Sequence, residues 1–245
     1  LNAALKVVNQ NPLGSAAGYG SSFPINRTFT TQELGFATLK FNSVAAQMSR
    51  GKSEKTVAFA MSSVAATLAK FSMDVCLYMS QNFDFISLPA HLTTGSSIMP
   101  HKKNPDVFEL IRGKCNKIQA LPYEITLITN NLPSGYHREF QLLKEGLFPA
   151  IQNLKACLDI AIFSIKDIKV KDNILADPKY NYLFTVDTLN EMVVAGMPFR
   201  DAYKAVAEQL ENGTYESPKA TQHTHEGSIN NLCLKEIKEK MQNAF

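Results

Sequence analysis

The chain has 245 residues, 45% of them hydrophobic and 19% charged, with a formal net charge of +3. That apolar content can bury a sizeable core, and with only 12 glycines and 11 prolines it excludes a disordered, low-complexity or collagenous chain. So small a net charge makes no case for nucleic acid, and no apolar run reaches the roughly 18 residues of a membrane span, because Lys70 and Asp74 interrupt the longest one.

The sequence opens at Leu1, with Ala4, Leu5, Val7 and Val8 already at helical spacing and no signal-peptide pattern. A chain that starts inside an amphipathic pattern is expected to be the remainder of a longer one. Residues 10–27, with Gly14, Gly18, Gly20 and several serines, read as a long loop, and loops of that length are usually functional or disordered. A helix is expected over 32–49, after Thr30 and Thr31 and ahead of Gly51. Over 53–81, Val57, Met61, Val64, Leu68, Phe71, Val75 and Met79 form one helical stripe, while Ala58, Ala65, Ala69 and Cys76 line the opposite side. Such a helix is roughly 40 Å long and apolar all round, so it has to be buried all round. One chain of this length hardly covers it, and other chains are expected to help.

Residues 82–103 form a second long loop containing Pro89, Gly95 and Pro100. It leads into a helix over 104–131, with Asn104 as N-cap, Pro105 at the first helical position and Asp106 in the first turn. Pro122 is expected to kink that helix. Leu143, Leu147, Ile151, Leu154, Leu158 and Ile162 line one face of a further helix over 139–165, interrupted at Pro149. Alternating strand patterns are nearly absent, so the fold class is all-α, with residues 1–166 forming a bundle of long helices. The charged stretch 166–177 ends in Asp177-Pro178, a boundary signal. Shorter helices over 182–195, 200–210 and 229–242, separated by Gly196, Pro198, Asn212-Gly213 and a polar stretch to Gly227, make residues 167–245 a small helical second domain.

Cys76, Cys115, Cys157 and Cys233 lie far apart without a CxxC pair, and three fall in apolar helical runs. They read as small buried hydrophobes of a reducing compartment, the cytoplasm.

The chemistry concentrates where the second loop meets its helix. Residues 94–106 deliver hydroxyls, two ammonium groups and an amide to a helix N-terminus, which favours anions. Read by composition alone, this is equally a solvated basic loop with an ordinary cap. The order Gly95-Ser96-Ser97-Ile98-Met99-Pro100-His101-Lys102-Lys103-Asn104-Pro105 resembles the signature of the fumarase/aspartase superfamily of lyases, and Lys102-Lys103-Asn104-Pro105-Asp106 most resembles argininosuccinate lyases. Two further segments resemble the same family: Pro12-Leu13-Gly14-Ser15 with Ile25-Asn26-Arg27, and Pro133-Ser134-Gly135-Tyr136 through Gln141 and Lys144-Glu145.

The resemblance implies cleavage of a C–N bond by β-elimination, releasing fumarate and arginine from argininosuccinate. It assigns Ser96 as the base that removes the β-proton, Lys102 and Asn104 as groups that stabilise the aci-carboxylate, and Glu109 as the residue that polarises a catalytic histidine. Arg27, Tyr136, Gln141 and Lys144 match groups that hold substrate. Apart from the motif, Glu109 reads as a surface helix residue, Tyr136 as half-buried packing and Ser97 as loop structure. Asn26 departs from the aspartate the family commonly carries, which bears on how Arg27 is oriented. The resemblance also implies a homotetramer whose sites draw on several chains, no cofactor and no metal. His101 occupies a variable signature position, His91 and His137 have no evident partner, and His223-Thr224-His225 lacks a third ligand at recognisable spacing. None of the five histidines stands in the context of the family's acid motif, so this polypeptide acting alone is expected to be inactive. A sister lyase acting on another succinyl adduct such as adenylosuccinate, and a non-catalytic bundle that keeps only the fold, are the alternative readings.

Overall fold

A computed structural model describes residues 1–218 and 223–244. The chain divides into two compact units, Leu1–Val170 and Lys171–Phe245. The first is built on three long helices, α4 (Lys52–Tyr78), α5 (Asp106–Thr129) and α6 (Leu143–Ile165), preceded by the short helices α1 (Asn2–Val8), α2 (Arg27–Glu33) and α3 (Ser43–Met48). Its strands are two-residue pairs: β1 (Gln10–Asn11) runs parallel to β2 (Thr38–Leu39), and β3 (Ile86–Ser87) antiparallel to β4 (Lys169–Val170). The architecture is an all-α bundle.

The core follows a seven-residue repeat. Ala58, Met61, Ala65, Leu68 and Val75 of α4 face Phe108, Ile111, Cys115, Ile118 and Ile125 of α5, and Leu143, Leu147, Ala150, Leu154, Cys157 and Ala161 of α6 complete the cluster. Alternating steps of three and four residues keep each stripe on one side of a nearly antiparallel neighbour. In α4 the deepest face is the alanine face, with Val57, Val64 and Phe71 only partly buried. Small side chains let α4 and α5 approach closely, and the larger residues pack along the flanks; Phe71 meets Phe108 edge-on at 5.9 Å.

Other side chains of α4 are exposed: Phe59 is 57% exposed, and Met73 and Leu77 are also exposed. Leu110, Tyr123 and Leu127 of α5 and Phe148, Ile162 and Phe163 of α6 likewise face outward. Lys52–Tyr78 and Arg138–Ile165 are each long and apolar enough, by length and composition, to cross a membrane. Counting uninterrupted apolar residues overlooks this, because an averaged hydropathy tolerates Lys70 and Asp74.

Two expected elements are corrected. The helix over 32–49 is broken into α2 and α3. Gly35 takes a left-handed φ of +69° that ends α2, Thr38–Leu39 then pairs with Gln10–Asn11, and the Asn42 side chain accepts from Ala45 N (2.9 Å) to cap α3. The second correction is at α5, which starts one residue late, with Pro105 and not Asn104 in the cap position. The Asn104 backbone is committed to a bridge with Thr94, through N–H···O bonds of 2.8 and 3.1 Å, so it cannot act as the helix cap. α5 continues through Pro122, and α6 through Pro149.

At the far end of the bundle, Gly51 precedes α4 with φ +77°, and a Cβ there would lie 2.6 Å from Thr129 Cγ2. Gly51→Ala is therefore expected to lower the unfolding free energy by about 2 kcal/mol, read as a reduced urea midpoint with unchanged slope.

The second unit contains α7 (Thr185–Val194), α8 (Phe199–Glu211) and α9 (Leu234–Gln242). Its small core is Leu189, Ala202 and Val206, flanked by Met192, Val193, Leu210 and Tyr215. Part of the polar stretch leading to Gly227, residues 219–222, lies outside the described residues.

Candidate active site

The signature loop is closed at its base. Thr94 and Asn104 pair as an isolated bridge, and the Thr94 hydroxyl donates to the Asp106 carboxylate in the first turn of α5. Residues 95–103 are thus held at both ends and project from the start of α5. Within this loop the Ser96 hydroxyl oxygen accepts from Ile98 N (3.2 Å) and Met99 N (3.0 Å). Two backbone donors converging on one oxygen stabilise negative charge on it, which is what a serine needs before it can take a proton. The Asn104 amide makes one long contact with Gly95 O (3.5 Å), and the Lys102 side chain is exposed. Glu109 lies one turn into α5 on an exposed face, close to Arg112 and Cys76. Ser96, Lys102, Asn104 and Glu109 therefore share one end of the bundle.

Tyr136, Gln141 and Lys144 form a second group. The Gln141 amide donates to the Tyr136 hydroxyl (3.2 Å), and the Lys144 ammonium donates to Gln141 Oε1 (2.9 Å). His137 Nε2–H donates to Pro133 O (2.9 Å) and closes the preceding turn. The group is anchored from the turn before α4: Arg50 donates to Phe140 O (3.0 Å) and to Glu54 Oε1 (2.8 Å), with its guanidinium 5.5 Å from the Phe140 ring centre. Arg50 has no role in the sequence reading. Its one signal is the Arg-Gly-x-x-Glu order, in which Glu54 also accepts from Gly51 N (2.7 Å).

Arg27, which the resemblance matches to a group that holds substrate, has its guanidinium engaged within the chain. Its Nε, Nη1 and Nη2 donate to the carbonyls of Leu13, Phe41 and Lys40, each at 2.8 Å. Three of the five guanidinium donors thus tie the glycine-rich loop to the segment before α3. Asn26 caps α2 by accepting from Phe29 N (2.9 Å), which fixes Arg27 as the first helical residue.

The groups are not adjacent. Phe108 near the start of α5 packs on Phe71 late in α4, whereas Thr129 at the end of α5 meets Gly51 at the start of α4. The signature loop and the Tyr136 group thus sit at opposite ends of a 24-residue helix, about 36 Å long.

Elsewhere, Cys115 and Cys157 are buried against each other in the core, where burial above all pushes the Cys115 thiol up to about 12 and raises that of Cys157. His223 Nε2–H donates to Asp187 Oδ1 (2.8 Å), with the His223 and His225 rings stacked at 6.4 Å. Among the described residues no group of three or more His, Cys, Asp or Glu side chains converges as metal ligands.

A family model described as "Lyase" matches residues 1–120. The argininosuccinate lyase of Parabacteroides distasonis is 57% identical over 245 residues, covering 100% of this chain and 55% of that protein. That of Xanthomonas oryzae pv. oryzae is 42% identical over 204 residues, 83% of this chain and 47% of that protein. Over its whole length the chain is thus similar to argininosuccinate lyases. It spans about half the length of the curated relatives it matches.

The fold of this chain is shared with more distant solved structures. EDDS lyase in complex with formate matches with a TM-score of 0.75 at 24% identity, over 86% of this chain and 43% of that one. Class II fumarase from Schistosoma mansoni matches with a TM-score of 0.71 at 17% identity, over 97% and 53%. The signature loop could be found from its residue order alone, because every residue in it is a neighbour of the next. The separation of its two groups could not.

Proposed function

We propose that this chain carries part of the active site of an enzyme that cleaves argininosuccinate by β-elimination into arginine and fumarate. The observation that carries the reading is the Ser96 hydroxyl, held by two backbone N–H groups in a loop fixed at the start of α5, in a chain 57% identical to an argininosuccinate lyase over its whole length.

In the proposed chemistry Ser96 Oγ, as an alkoxide, takes the proton from the succinyl carbon adjacent to the one bearing nitrogen. The electron pair left behind moves into the neighbouring carboxylate. Lys102 and Asn104 stabilise the resulting aci-carboxylate, charge placed where it develops. Collapse of that species forms the fumarate double bond and expels the guanidino nitrogen, which leaves as part of arginine after gaining a proton. Glu109, one turn into α5, orients the proton donor. Tyr136, Gln141 and Lys144 hold substrate through a phenol, an amide and an ammonium group. Arg27 organises the loop between Leu13 and Phe41.

A small-molecule substrate cannot touch both ends of a helix about 36 Å long. We therefore read each working site as built from the signature loop of one copy and the Tyr136 group of another, in a homotetramer. The uncovered apolar residues Phe59, Leu110, Tyr123, Leu127 and Phe148 support this, since copies packed side by side would cover them. Four free cysteines fit work in the reducing cytoplasm.

The deciding measurement follows fumarate absorbance when argininosuccinate, and separately adenylosuccinate, is given to the native enzyme. Turnover of argininosuccinate alone is expected. Turnover of adenylosuccinate alone would reassign the substrate, and turnover of neither would favour a bundle without catalysis.

A further inference from the structure

Tyr19 is the one large aromatic residue between Asn11 and Ser22, and 76% of it is exposed. Its direction is nevertheless fixed by the backbone. Gly18 and Gly20 on either side have φ of +96° and +83°, and both donate to Ser15 O (3.0 and 3.1 Å), which folds the chain tightly around a buried Ser15. Gly18 lies directly on Gln47, where a Cβ would come within 2.6 Å of the glutamine Cβ, so no side chain fits beneath the loop. Arg27 holds the same loop from below through Leu13, Lys40 and Phe41. An exposed residue on so constrained a base has somewhere definite to point.

It points at Gly135. A Cβ on that residue would lie 2.9 Å from the Tyr19 hydroxyl oxygen and 3.9 Å from Cζ, so the tip of the phenol occupies the space that the missing side chain leaves. Gly135 has φ +124°, and the residue that follows it is Tyr136, whose hydroxyl begins the chain of bonds through Gln141 to Lys144. The turn is closed on its other side by His137 and Pro133.

We infer that Tyr19 is a positioning residue for substrate binding: pressed against Gly135, it sets where Tyr136, Gln141 and Lys144 stand. This rests on the reading of those three side chains as substrate ligands. The sequence reading passes over Tyr19 because it belongs to none of the quoted motif residues, and nothing in its neighbours reveals the long-range contact.

The test is a double-variant cycle in the native enzyme, read as KM and kcat for argininosuccinate. Gly135→Ala is expected to raise KM about tenfold with kcat changed much less, because the new methyl meets the phenol and displaces the turn. Tyr19→Ala is expected to raise KM about threefold, and adding it to Gly135→Ala is expected to recover at least about threefold of the loss. A glycine needed only for its backbone angle gives no recovery, so strictly additive effects, or a wild-type KM for Tyr19→Ala, would overturn the inference. Melting curves accompany each variant. Should Gly135→Ala fail to fold, Tyr19→Ala, a change at an exposed side chain, decides by its KM. Tyr136→Phe and Lys144→Ala are measured alongside. If those two leave KM unchanged, the substrate-ligand reading itself fails; if they raise it while Tyr19→Ala does not, only the role of Tyr19 falls.

Discussion

Ser96→Ala in the native enzyme is expected to lower kcat for argininosuccinate by roughly two to four orders of magnitude, with KM changed no more than a few-fold. The substitution removes one oxygen. The Ile98 and Met99 N–H groups that it leaves lie in a loop open to water, which replaces the lost acceptor, so the fold tolerates the change. What is lost is the oxygen proposed to take the β-proton, on which those two donors converge. Stopped or steady-state absorbance of fumarate gives kcat, and an unchanged melting curve separates lost chemistry from lost structure. An unchanged kcat with a raised KM would move Ser96 from proton transfer to binding, and little effect on either would favour a structural bundle.

The second large effect is a recovery. Ser96→Ala and Lys144→Ala are each expected to be strongly impaired, yet assemblies containing both variant chains are expected to regain about a quarter of wild-type activity. The figure follows from random assortment: a site that takes its signature loop from one copy and its Tyr136 group from another is intact when the first copy is the Lys144 variant and the second the Ser96 variant, about one chance in four. The two variants are co-expressed, or unfolded together and refolded, and compared with each variant treated alone. If both groups served the same site from a single chain, no chain in the mixture would carry an intact set and activity would not return. The prediction follows from the placement of these groups at the two ends of α5, defined by Phe71 against Phe108 at one and Gly51 against Thr129 at the other.

The three long helices were legible because helix formation is a local matter. Leu143, Leu147 and Leu154 repeat at steps that any reader of the sequence can count, and in the structure they lie in the core. The α4 stripe was harder. Both its faces are apolar, so periodicity could not rank them, and only packing showed that the alanine side lies deepest. The failed helix over 32–49 has a similar cause. Its apolar residues are compatible with a helix, and what breaks it is a backbone pairing with Gln10–Asn11, more than 25 positions upstream, together with a left-handed glycine.

The sequence by itself determined the all-α class, the order of the long helices, and a signature loop whose residues are contiguous and so keep their meaning in any fold. Tertiary structure alone decided that Arg27 gives its donors to three carbonyls, that Tyr19 meets Gly135, and that the signature loop and the Tyr136 group stand a helix length apart. The physical reason is the range of the interactions. Periodicity, caps and motifs are written in residues close along the chain, whereas a hydrogen bond to a distant carbonyl, or the end of the bundle at which a loop emerges, depends on how α4, α5 and α6 pack.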